Sequence, residues 1–491
     1  MAEHKMWIGG KWVDAQSGNT YPVFNPTTET EIAQIPKADK ADVDKAVESA
    51  REALPIWSKK SQVERSQIGI RLAAMLRDNV KEIARIDTLE HGTPKNFAAM
   101  IAGDLPEWFE WNAYNARSLM GNTVPYSPDE LIYLQREPVG VVALITPWNL
   151  PLLMIVEKLA PALMVGNACI IKPASINSLT ALKLAELLDK LELPPGTVNI
   201  ITGPGSAVGE ALASHHGVDM IAFTGSSDTG KRIMSLASNT VKRLQLELGG
   251  KNPVIILDDA NINQVAGSLV GRQTNNSGQI CASPGRYYIH EKVYEEFLEK
   301  FKMGMEKVVV GDPNDEKTQM GPLVSAEHRN RVEGYIQSAI DEGAKVVIGG
   351  KRPTKSPLNK GYYVLPTIIA NVTQKMKVAR EEIFGPVAVV MEKFSSDEEM
   401  IKMANDNTYG LAANIWTQDA ARGMRFANQI AAGTVTIGRT PGRDQDLPWG
   451  GFKESGIGKE HSLYGLYEYT NLKRIQVDLT LKKIAAYCAV C

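Results

Sequence analysis

Two side chains in the segment 244–285 have the chemistry needed for covalent catalysis on a carbonyl group. Glu247 lies in the apolar run LQLELGG, and Cys281 lies in the small and polar run NNSGQICAS. A free cysteine is more often a packing residue than a nucleophile, but Asn, Ser, Gly and Gln are poor core residues and leave room for a substrate. A thiolate nucleophile needs a base, and an apolar environment raises the pKa of a carboxyl group. The pattern therefore indicates a Cys281–Glu247 pair that only the fold can bring together.

Strands and helices alternate around this segment, so the fold can be predicted in outline. From Gly140, strand-like runs such as GVVALITPW, NACIIKPAS and MIAFTG alternate with helical runs such as TALKLAELLDKL. This alternation predicts right-handed crossovers and a parallel sheet, and ligands of such sheets bind at the carboxyl ends of the strands. The candidate loops at those ends are 146–150, 173–177, 203–209 and 225–230.

Two of these loops are rich in glycine and are similar to nucleotide-binding motifs without matching them. The run GPGSAVG at 203–209 has one residue too many for the dinucleotide fingerprint. The run GSSDTGKR at 225–232 departs from the P-loop, because Arg232 stands where Ser or Thr would hold Mg²⁺. A helix N-terminus that offers Ser226 and backbone N–H groups binds pyrophosphate without a metal. The pattern favours a nicotinamide dinucleotide, and a nucleotide hydrolase is the alternative.

The sequence resembles the aldehyde dehydrogenase superfamily in several motifs that occur in order along nearly the whole chain. The central match is LELGGKNP followed by NSGQIC. Further matches are TPWNLP at 146–151, IIKPAS at 170–175, FTGSSDTG at 223–230, EEIFGPV at 381–387 and YGLAA at 409–413. Within the superfamily the chain is most similar to the lactaldehyde and glyceraldehyde dehydrogenase branch.

The resemblance implies a role for each matched residue. The thiolate of Cys281 would attack an aldehyde, Asn149 and the Cys281 backbone N–H would bind the oxyanion, and Glu247 would activate water to hydrolyse the thioester. Glu247 favours water over coenzyme A as acceptor, because acylating relatives generally lack a base there. Lys172 would join this catalytic set by hydrogen-bonding the ribose hydroxyls of the cofactor. The other expected cofactor-binding residues are Thr146, Pro147, Trp148, Ser175, Gly205, Gly209, Phe223, Thr224, Gly225, Ser226, Thr229, Leu248, Gly249, Glu382 and Phe384.

The resemblance also implies the aldehyde dehydrogenase fold. This is an α/β architecture with a Rossmann-like cofactor domain, a second α/β catalytic domain and a small β-arm for oligomerisation. We expect the cofactor domain at 1–121 and 137–250 and the catalytic domain at 251–450. Residues 122–136 and 467–491 would form the arm and the C-terminal tail. In the family this arm pairs with a neighbouring subunit, so a homodimer or homotetramer is expected.

Composition limits the cellular setting and the partners. The chain has 54 Lys and Arg against 56 Asp and Glu, so it lacks the basic surface typical of a nucleic-acid-binding protein. Four cysteines in 491 residues do not form a disulfide framework, and the N-terminus has no apolar signal core. These observations favour a reducing, cytoplasmic location. The tail cysteines Cys488 and Cys491 have no assigned role.

Membrane and metal functions are not expected. Residues 139–156 carry no charge over 18 positions, which is long enough for a membrane span. Two prolines, Pro147 and Pro151, interrupt the run, so it is interpreted as a buried strand, a loop and a helix. None of the seven histidines belongs to a metal-binding motif, and no catalytic metal is predicted.

The sequence leaves the identity of the aldehyde open. The branch resemblance favours a small hydroxyaldehyde such as lactaldehyde, glycolaldehyde or glyceraldehyde, and a semialdehyde or an aromatic aldehyde is the alternative. A substrate tunnel is expected near Trp148, Met154, Trp416 and the segment 438–444. A non-catalytic scaffold protein on the same fold is disfavoured, because all the catalytic residue types are present.

The residue after Pro173-Ala174 determines the prediction for cofactor choice. Many NAD-preferring relatives carry glutamate there, and this chain carries Ser175. A glutamate about 4 Å from the 2′-phosphate of NADP would repel it by roughly 4 kcal/mol at an effective dielectric near 20. NAD binding would lose only hydrogen bonds worth roughly 0.5–1.5 kcal/mol each. We expect NADP to be accepted and preferred, with NAD used at higher concentration.

Exchanging this side chain tests the interpretation. Ser175→Glu should raise the apparent KM for NADP and shift the preference toward NAD, as measured by kcat/KM for both cofactors. A wild-type enzyme that favours NAD a hundredfold would show that another feature of the chain governs the choice.

Overall fold

A computed structural model describes residues 4–442 and 444–480 of the chain. Residue 443 of the predicted tunnel segment and the tail cysteines Cys488 and Cys491 lie outside the described residues. The strands are β1 (Met6–Ile8), β2 (Lys11–Val13), β3 (Thr20–Phe24), β4 (Glu31–Pro36), β5 (Asn122–Ser127), β6 (Glu130–Pro138), β7 (Val141–Ile145), β8 (Ala168–Lys172), β9 (Val198–Ile200), β10 (Met220–Thr224), β11 (Arg243–Glu247), β12 (Asn252–Ile256), β13 (Pro284–Ile289), β14 (Lys345–Ile348), β15 (Thr367–Val372), β16 (Val387–Met391), β17 (Tyr409–Gly410), β18 (Ala412–Trp416), β19 (Thr434–Ile437), β20 (Phe452–Lys453), β21 (Gly456–Ile457) and β22 (Thr470–Asp478). The α-helices are α1 (Lys40–Trp57), α2 (Gln62–Asp78), α3 (Val80–His91), α4 (Lys95–Ala116), α5 (Pro151–Met164), α6 (Leu179–Leu188), α7 (Glu210–Ser214), α8 (Ser227–Ala237), α9 (Ile262–Thr274), α10 (Tyr294–Glu306), α11 (Ala326–Asp341), α12 (Lys377–Arg380), α13 (Asp397–Asn405), α14 (Ala420–Ala427) and α15 (Ser462–Glu468).

The first sheet has the strand order β2-β1-β9-β8-β7-β10-β11-β21. Its five central strands, from β9 to β11, are parallel, and β1 and β21 pair with their edges in antiparallel orientation. The chain order reverses between β7 and β10, which is the arrangement of the Rossmann fold, where a crevice opens at the carboxyl ends of the strands. The predicted loops after β7 and β10 therefore meet at this switch point.

Helices cover both faces of this sheet, so its strands are apolar on both sides. In β7, Val142 and Leu144 belong to a core shared with α2 to α6, whereas Val141, Ala143 and Ile145 belong to a core shared with α1, α7 and α8. Every residue of β7 is buried. A strand between two cores reads as a continuous apolar run, and this explains the uncharged stretch in the sequence.

The remainder of that uncharged stretch is a loop followed by α5, as predicted. Pro151 opens α5, where a missing N–H and a fixed φ are tolerated, and all fourteen residues of the helix are buried. Among the described residues, no helix is long and apolar enough to cross a membrane.

A second sheet has the order β14-β15-β16-β13-β12-β18-β19, and only its edge strand β14 is antiparallel. It also separates two cores, because Val254 and Ile256 of β12 face one and Ile255 faces the other. The two sheets follow each other directly, since Gly249 and Gly250 with two further residues connect β11 to β12. This short connection places the end of β11 beside the start of the second sheet.

The three strands β22, β6 and β5 form a separate antiparallel sheet. Most of β22 is exposed, including Leu472 and Val477. The strands predicted for the arm are present, while its pairing with another subunit and the domain boundaries remain predictions. β21 lies beyond the predicted end of the catalytic domain and pairs with β11 of the first sheet.

The loop that carries Cys281 begins with a left-handed turn. Asn276, Ser277 and Gly278 have φ values of 52°, 56° and 73°, and the Ser277 hydroxyl donates to the Gly321 carbonyl at 2.8 Å. A Cβ on Gly278 would lie 2.2 Å from the backbone oxygen of Gly385. Only glycine fits this position without displacing the loop.

We therefore expect Gly278→Ala to lower the free energy of unfolding by about 3 kcal/mol or more, from the positive φ and the backbone clash together. Gly267→Ala is the matched control, because Gly267 lies within α9 with no atom within 4 Å of an added Cβ. Alanine there should stabilise the helix by about 1 kcal/mol at most. Chemical denaturation measures the free energy of unfolding of both variants, and turnover measures the effect on the Cys281 loop. Equal stability of the two variants would contradict the requirement for glycine at position 278.

Candidate active site

The structure brings Cys281 and Glu247 together on the walls of the same two cavities, and the interaction with the Cys281 thiol acts to lower the pKa of the Glu247 carboxyl. Glu247 is the last residue of β11 and pairs in register with Thr224 of β10, so it lies at the carboxyl edge of the first sheet. Cys281 follows the left-handed turn in the loop between α9 and β13. The other described cysteine, Cys169, is fully buried in the core, so Cys281 is the reactive candidate of the two.

Burial makes the Glu247 carboxyl a weaker acid than an exposed glutamate. Removal from water raises the pKa of the Glu247 carboxyl to about 8, and the negative charge of Glu460 adds to the rise. The positive charge of Lys158 and a hydrogen bond from the Trp449 indole Nε1, 3.1 Å from Glu247 Oε1, act in the opposite direction. A carboxyl group with a pKa near the working pH is suited to accept a proton and release it again.

The Cys281 thiol is also held in its neutral form until a base acts on it. Burial raises the pKa of the Cys281 thiol well above its usual range, and the charges of Glu247, Glu382 and Glu157 raise it further. The backbone at this position is fixed by Asn252, whose Nδ2 donates to the Cys281 carbonyl at 2.7 Å. Asn252 lies in the GGKNP motif, but no pattern in the sequence predicts this role for it.

Two hydrogen-bond donors remain available beside the thiol. Asn149 Nδ2 donates one hydrogen to the Gln279 carbonyl at 3.0 Å, which leaves its second amide hydrogen. The Asn276 amide donates to the Asn149 carbonyl at 2.7 Å and fixes the turn. Within residues 4–442 and 444–480 the Cys281 backbone N–H donates no hydrogen bond. These two donors can stabilise an oxyanion formed on a carbonyl that the thiol attacks.

Two cavities meet at this pair. The larger cavity, of about 450 Å³, lies at the switch point of the first sheet. The smaller cavity, of about 320 Å³, lies between α4, α5 and the loop of Cys281. Leu150, Met154, Glu247 and Cys281 line both. The thiol and the carboxyl group therefore lie on a shared wall, where they can act on a molecule bound in either space.

Most of the residues predicted from the sequence line the larger cavity. Those that do are Pro147, Trp148, Asn149, Ser175, Thr224, Gly225, Ser226, Glu247, Leu248, Gly249, Cys281, Glu382 and Phe384. Those that do not are Thr146, Lys172, Gly205, Gly209, Phe223 and Thr229. Lys172 is buried at the end of β8, and burial lowers the pKa of its ammonium group to about 8.

Three features of the larger cavity fit a dinucleotide. Ser226 caps α8, so the N-terminus of this helix faces the cavity with its positive dipole end. The buried hydroxyl of Thr224, which lines the cavity, has no hydrogen-bond partner among the described residues. A Cβ on Gly249 would lie 2.5 Å from Glu382 Oε2, so the backbone there can approach a ligand closely. We infer that these groups provide a phosphate- and hydroxyl-binding wall.

The N-terminal part of α11 forms a wall of the larger cavity that the sequence did not predict. His328 lies edge-on to Trp148, with ring centroids 5.0 Å apart, and its Nε2 is 2.7 Å from the Phe384 carbonyl oxygen. Trp148 also contacts the Phe384 ring edge-on at 5.3 Å. Burial lowers the pKa of the His328 imidazole to about 4, so this histidine is a neutral support for the aromatic wall.

The smaller cavity corrects part of the predicted tunnel. Met154, Pro441 and Gly442 line it as expected, but Trp416 is packed in the core of the second sheet and Trp148 lines the larger cavity instead. Its lining residues are Phe97, Met100, Asp104, Leu150, Met154, Glu157, Glu247, Arg272, Asn275, Ile280, Cys281, Ala282, Pro441, Gly442, Trp449, Glu460 and His461. Trp416 lies within a buried strand, whereas Trp449 from a later loop provides the aromatic wall.

A cluster of Glu157, Glu460 and His461 lies at one end of the smaller cavity. Their ligand-type atoms lie within 4.8 Å of one another, although 304 positions separate Glu157 from His461 in the chain. The Lys158 ammonium forms a buried ion pair with Glu460, which puts a positive charge where a metal ion would have to bind. The cluster is therefore a charged lining of the cavity, and no sequence motif could reveal it.

The fold and the site define a protein with a Rossmann-like sheet whose large cavity is lined by a cysteine and a buried carboxyl group. Residues 12–475 match the sequence profile described as the aldehyde dehydrogenase family. The chain belongs to the aldehyde dehydrogenase family. This confirms the predicted fold and the prediction of an NAD(P)-dependent aldehyde dehydrogenase.

The chain is similar over its whole length to several characterised or named relatives. It is 41% identical over 480 residues to a putative aldehyde dehydrogenase, DhaS, of Bacillus subtilis (strain 168), covering 97% of this chain and 96% of that protein. It is 39% identical over 474 residues to a hydroxyisobutyraldehyde dehydrogenase of Mycolicibacterium austroafricanum, covering 96% and 94%. It is similar in structure to a betaine aldehyde dehydrogenase of Staphylococcus aureus in complex with NAD⁺, with a TM-score of 0.97, 35% identity and coverage of 99% and 97%. A point mutant of that enzyme, also with NAD⁺, carries a BME-modified cysteine.

The acidity of Glu247 predicts the pH dependence of turnover. Glu247 must be ionised to act as a base, so kcat should rise with pH through a midpoint near 8. Trp449→Phe removes a donor that stabilises the ionised form, so the midpoint should move upward by about one unit. Glu247→Gln should abolish this rising limb. A kcat–pH profile of Trp449→Phe with an unchanged or lower midpoint would contradict the assignment.

Proposed function

We propose that the protein oxidises small hydroxyaldehydes to carboxylic acids with NADP or NAD as the cofactor. The observation that carries this proposal is the placement of Cys281 and Glu247 together on the wall shared by two cavities. In the proposed arrangement the dinucleotide binds in the larger cavity and the aldehyde in the smaller one. The similarity to a hydroxyisobutyraldehyde dehydrogenase supports a hydroxylated substrate.

The first chemical step is the attack of Cys281 on the aldehyde carbonyl. The thiol loses its proton to solvent before the carbon–sulfur bond forms, and Glu247 beside it stays ionised as the base for the later step. The second amide hydrogen of Asn149 and the backbone N–H of Cys281 bind the resulting oxyanion. Loss of one such donor typically raises the barrier by roughly 3–4 kcal/mol.

The dinucleotide is held by groups already described. The α8 N-terminus at Ser226 binds the pyrophosphate, the side chain of Lys172 is the candidate for the ribose hydroxyls, and Glu382 with Phe384 contacts the nicotinamide end. A bound nicotinamide would supply the hydride acceptor, and Cys281 would hold the adduct that loses the hydride and becomes a thioester. The Ser175 hydroxyl donates to the Gly203 carbonyl at 2.8 Å, so it is a neutral wall that admits a 2′-phosphate.

Hydrolysis of the thioester completes the reaction. Glu247 accepts a proton from water as it attacks the thioester carbonyl, and the carboxylic acid is released from Cys281. The ion pair of Glu460 and Lys158 is close enough to Glu247 for both charges to act on its pKa, in opposite directions. The negative charge of Glu460 contributes to the high pKa that suits Glu247 to this step.

A nucleotide hydrolase is disfavoured by the contacts of the near-P-loop residues. The Lys231 ammonium pairs with Glu454 at 2.9 Å, and the Arg232 guanidinium pairs with Glu210 at 2.9 Å. Neither cation lines the larger cavity. The glycine-rich loop therefore offers a helix N-terminus without the lysine and hydroxyl that phosphoryl transfer requires.

The assembly is proposed from the arm. The sheet of β5, β6 and β22 has an exposed outer strand with apolar side chains, which suits pairing with a second copy in a homodimer or homotetramer. A cytoplasmic location is proposed from the low cysteine content. Analytical ultracentrifugation of the whole chain distinguishes these assemblies from a monomer.

Rapid-quench and steady-state kinetics test the proposed function. Cys281→Ser should remove turnover while leaving folding and dinucleotide binding intact. Glu247→Gln should slow steady-state turnover, while a single turnover of reduced cofactor persists because the base acts chiefly in hydrolysis. If Cys281→Ser retains more than a few per cent of activity, the nucleophile is wrong; if both phases collapse equally in Glu247→Gln, the base acts in the first step.

A further inference from the structure

The smaller cavity contains a polar pair that the proposed mechanism leaves unused. Glu157 on α5 and His461, which precedes α15, have side chains that are only 4% and 7% exposed. His461 Nε2 lies 3.7 Å from Glu157 Oε1, which is too long for a hydrogen bond. Nε2 is buried and has no hydrogen-bond partner in the part of the chain that the structure describes. The Glu157 carboxylate likewise accepts no hydrogen bond from another described residue.

Buried polar groups in a folded protein are normally paired. The imidazole Nε2 of His461 and the carboxyl group of Glu157 face each other across a gap too wide for a direct bond, which leaves the buried Nε2 unsatisfied. The cost of such groups is recovered when a ligand supplies the missing hydrogen bonds. The pair is therefore a site for a group that both donates and accepts.

The pair lies within reach of the reacting atoms. Glu157 and His461 line the smaller cavity together with Cys281 and Glu247. The charge of Glu157 is one of those that raise the pKa of the Cys281 thiol, so the carboxylate is near the sulfur. A substrate whose carbonyl carbon is at Cys281 would place a substituent a few bonds away beside this pair.

The backbone of His461 adopts a conformation that is unfavourable for a residue with a Cβ atom. His461 has φ 60° and ψ 173°, a region that glycine almost alone adopts, and Ser462 also has a positive φ of 53°. The Glu460 N–H and carbonyl both pair with Trp449, and the Gly465 N–H donates to the His461 carbonyl at 2.7 Å. The imidazole packs against Trp108 with ring centroids 4.5 Å apart. These contacts fix the ring at the cavity wall.

We propose that Glu157 and His461 bind the hydroxyl group of the aldehyde substrate. The hydroxyl hydrogen is donated to the Glu157 carboxylate, and the hydroxyl oxygen accepts from His461 Nε2–H. One oxygen can make both bonds across a 3.7 Å gap, because each needs a separation of only about 2.7–3.0 Å. This assignment rests on the proposed function and identifies the residues that select the hydroxylated aldehyde.

The assignment gives the pair a measurable effect on selectivity. A site built to hydrogen-bond a hydroxyl discriminates strongly against an analogue that lacks it, because its own polar groups are then left unpaired. Lactaldehyde and propanal have the same carbon chain and differ only by this hydroxyl. The ratio of their kcat/KM values therefore isolates the contribution of the pair.

The experiment compares this ratio in the whole enzyme and in three variants. Glu157→Leu removes the acceptor, and His461→Phe removes the donor but keeps a ring against Trp108. Each should lower the lactaldehyde-to-propanal ratio roughly tenfold to a hundredfold, mainly through KM for lactaldehyde. Asp104→Asn is the matched control, because Asp104 lines the same cavity from α4; it should retain the wild-type ratio.

The outcomes separate this inference from the proposed function. Suppose the wild-type lactaldehyde-to-propanal ratio is well above one and both Glu157→Leu and His461→Phe retain it. This result would overturn the assignment of the pair as the hydroxyl site, but it would still support the proposed substrate class. A wild-type ratio near one would overturn both. For a variant too slow to assay, the same comparison can be made by measuring how well 1,2-propanediol and 1-propanol protect Cys281 from alkylation by iodoacetamide. If the variant loses the stronger protection by the diol, the result supports the pair as the hydroxyl site. If the diol still protects better, the assignment is overturned.

Discussion

A carboxyl group kept out of water at the end of a strand is the constraint on which the rest of the site depends. Glu247 terminates β11 among apolar neighbours, and its pKa of about 8 follows chiefly from that burial. The surrounding charges are arranged as opposing pairs, since Glu460 and Lys158 act on it with opposite signs. Without the burial, Glu247 would be an ordinary carboxylate whose pKa is too low for efficient general-base catalysis near neutral pH.

The two sheets provide this environment from different parts of the chain. The first sheet supplies Glu247 from a strand end and Asn149 from the loop after β7, and the second supplies the loop that brings Cys281. Asn252 fixes the Cys281 loop against the second sheet, because it opens β12 and donates to the carbonyls of Cys281 and Ser283. The site therefore lies between the two sheets. The positions of its side chains depend on backbone turns that few residue types can adopt.

The sequence predicted the features that local pattern determines. The alternation of strands and helices predicted the parallel sheet, and the resemblance to aldehyde dehydrogenases predicted the rest of the fold and most of the residues that line the larger cavity. The sequence could not predict contacts between distant segments, such as His328 beside Trp148 or Glu157 beside His461. Trp416 was misplaced because an aromatic residue in a strand packs into a core as readily as it lines a tunnel, and only the sheet topology decides between these positions.

The wall shared by the two cavities has a consequence for the binding of substrate and the release of product. In the proposed arrangement, aldehyde and dinucleotide occupy separate cavities that share a wall of Leu150, Met154, Glu247 and Cys281. A compound shaped to fill the smaller cavity would compete with the aldehyde while leaving the dinucleotide bound. A carboxylate product released through the smaller cavity would not have to displace the reduced dinucleotide, so the order of release would depend on affinity.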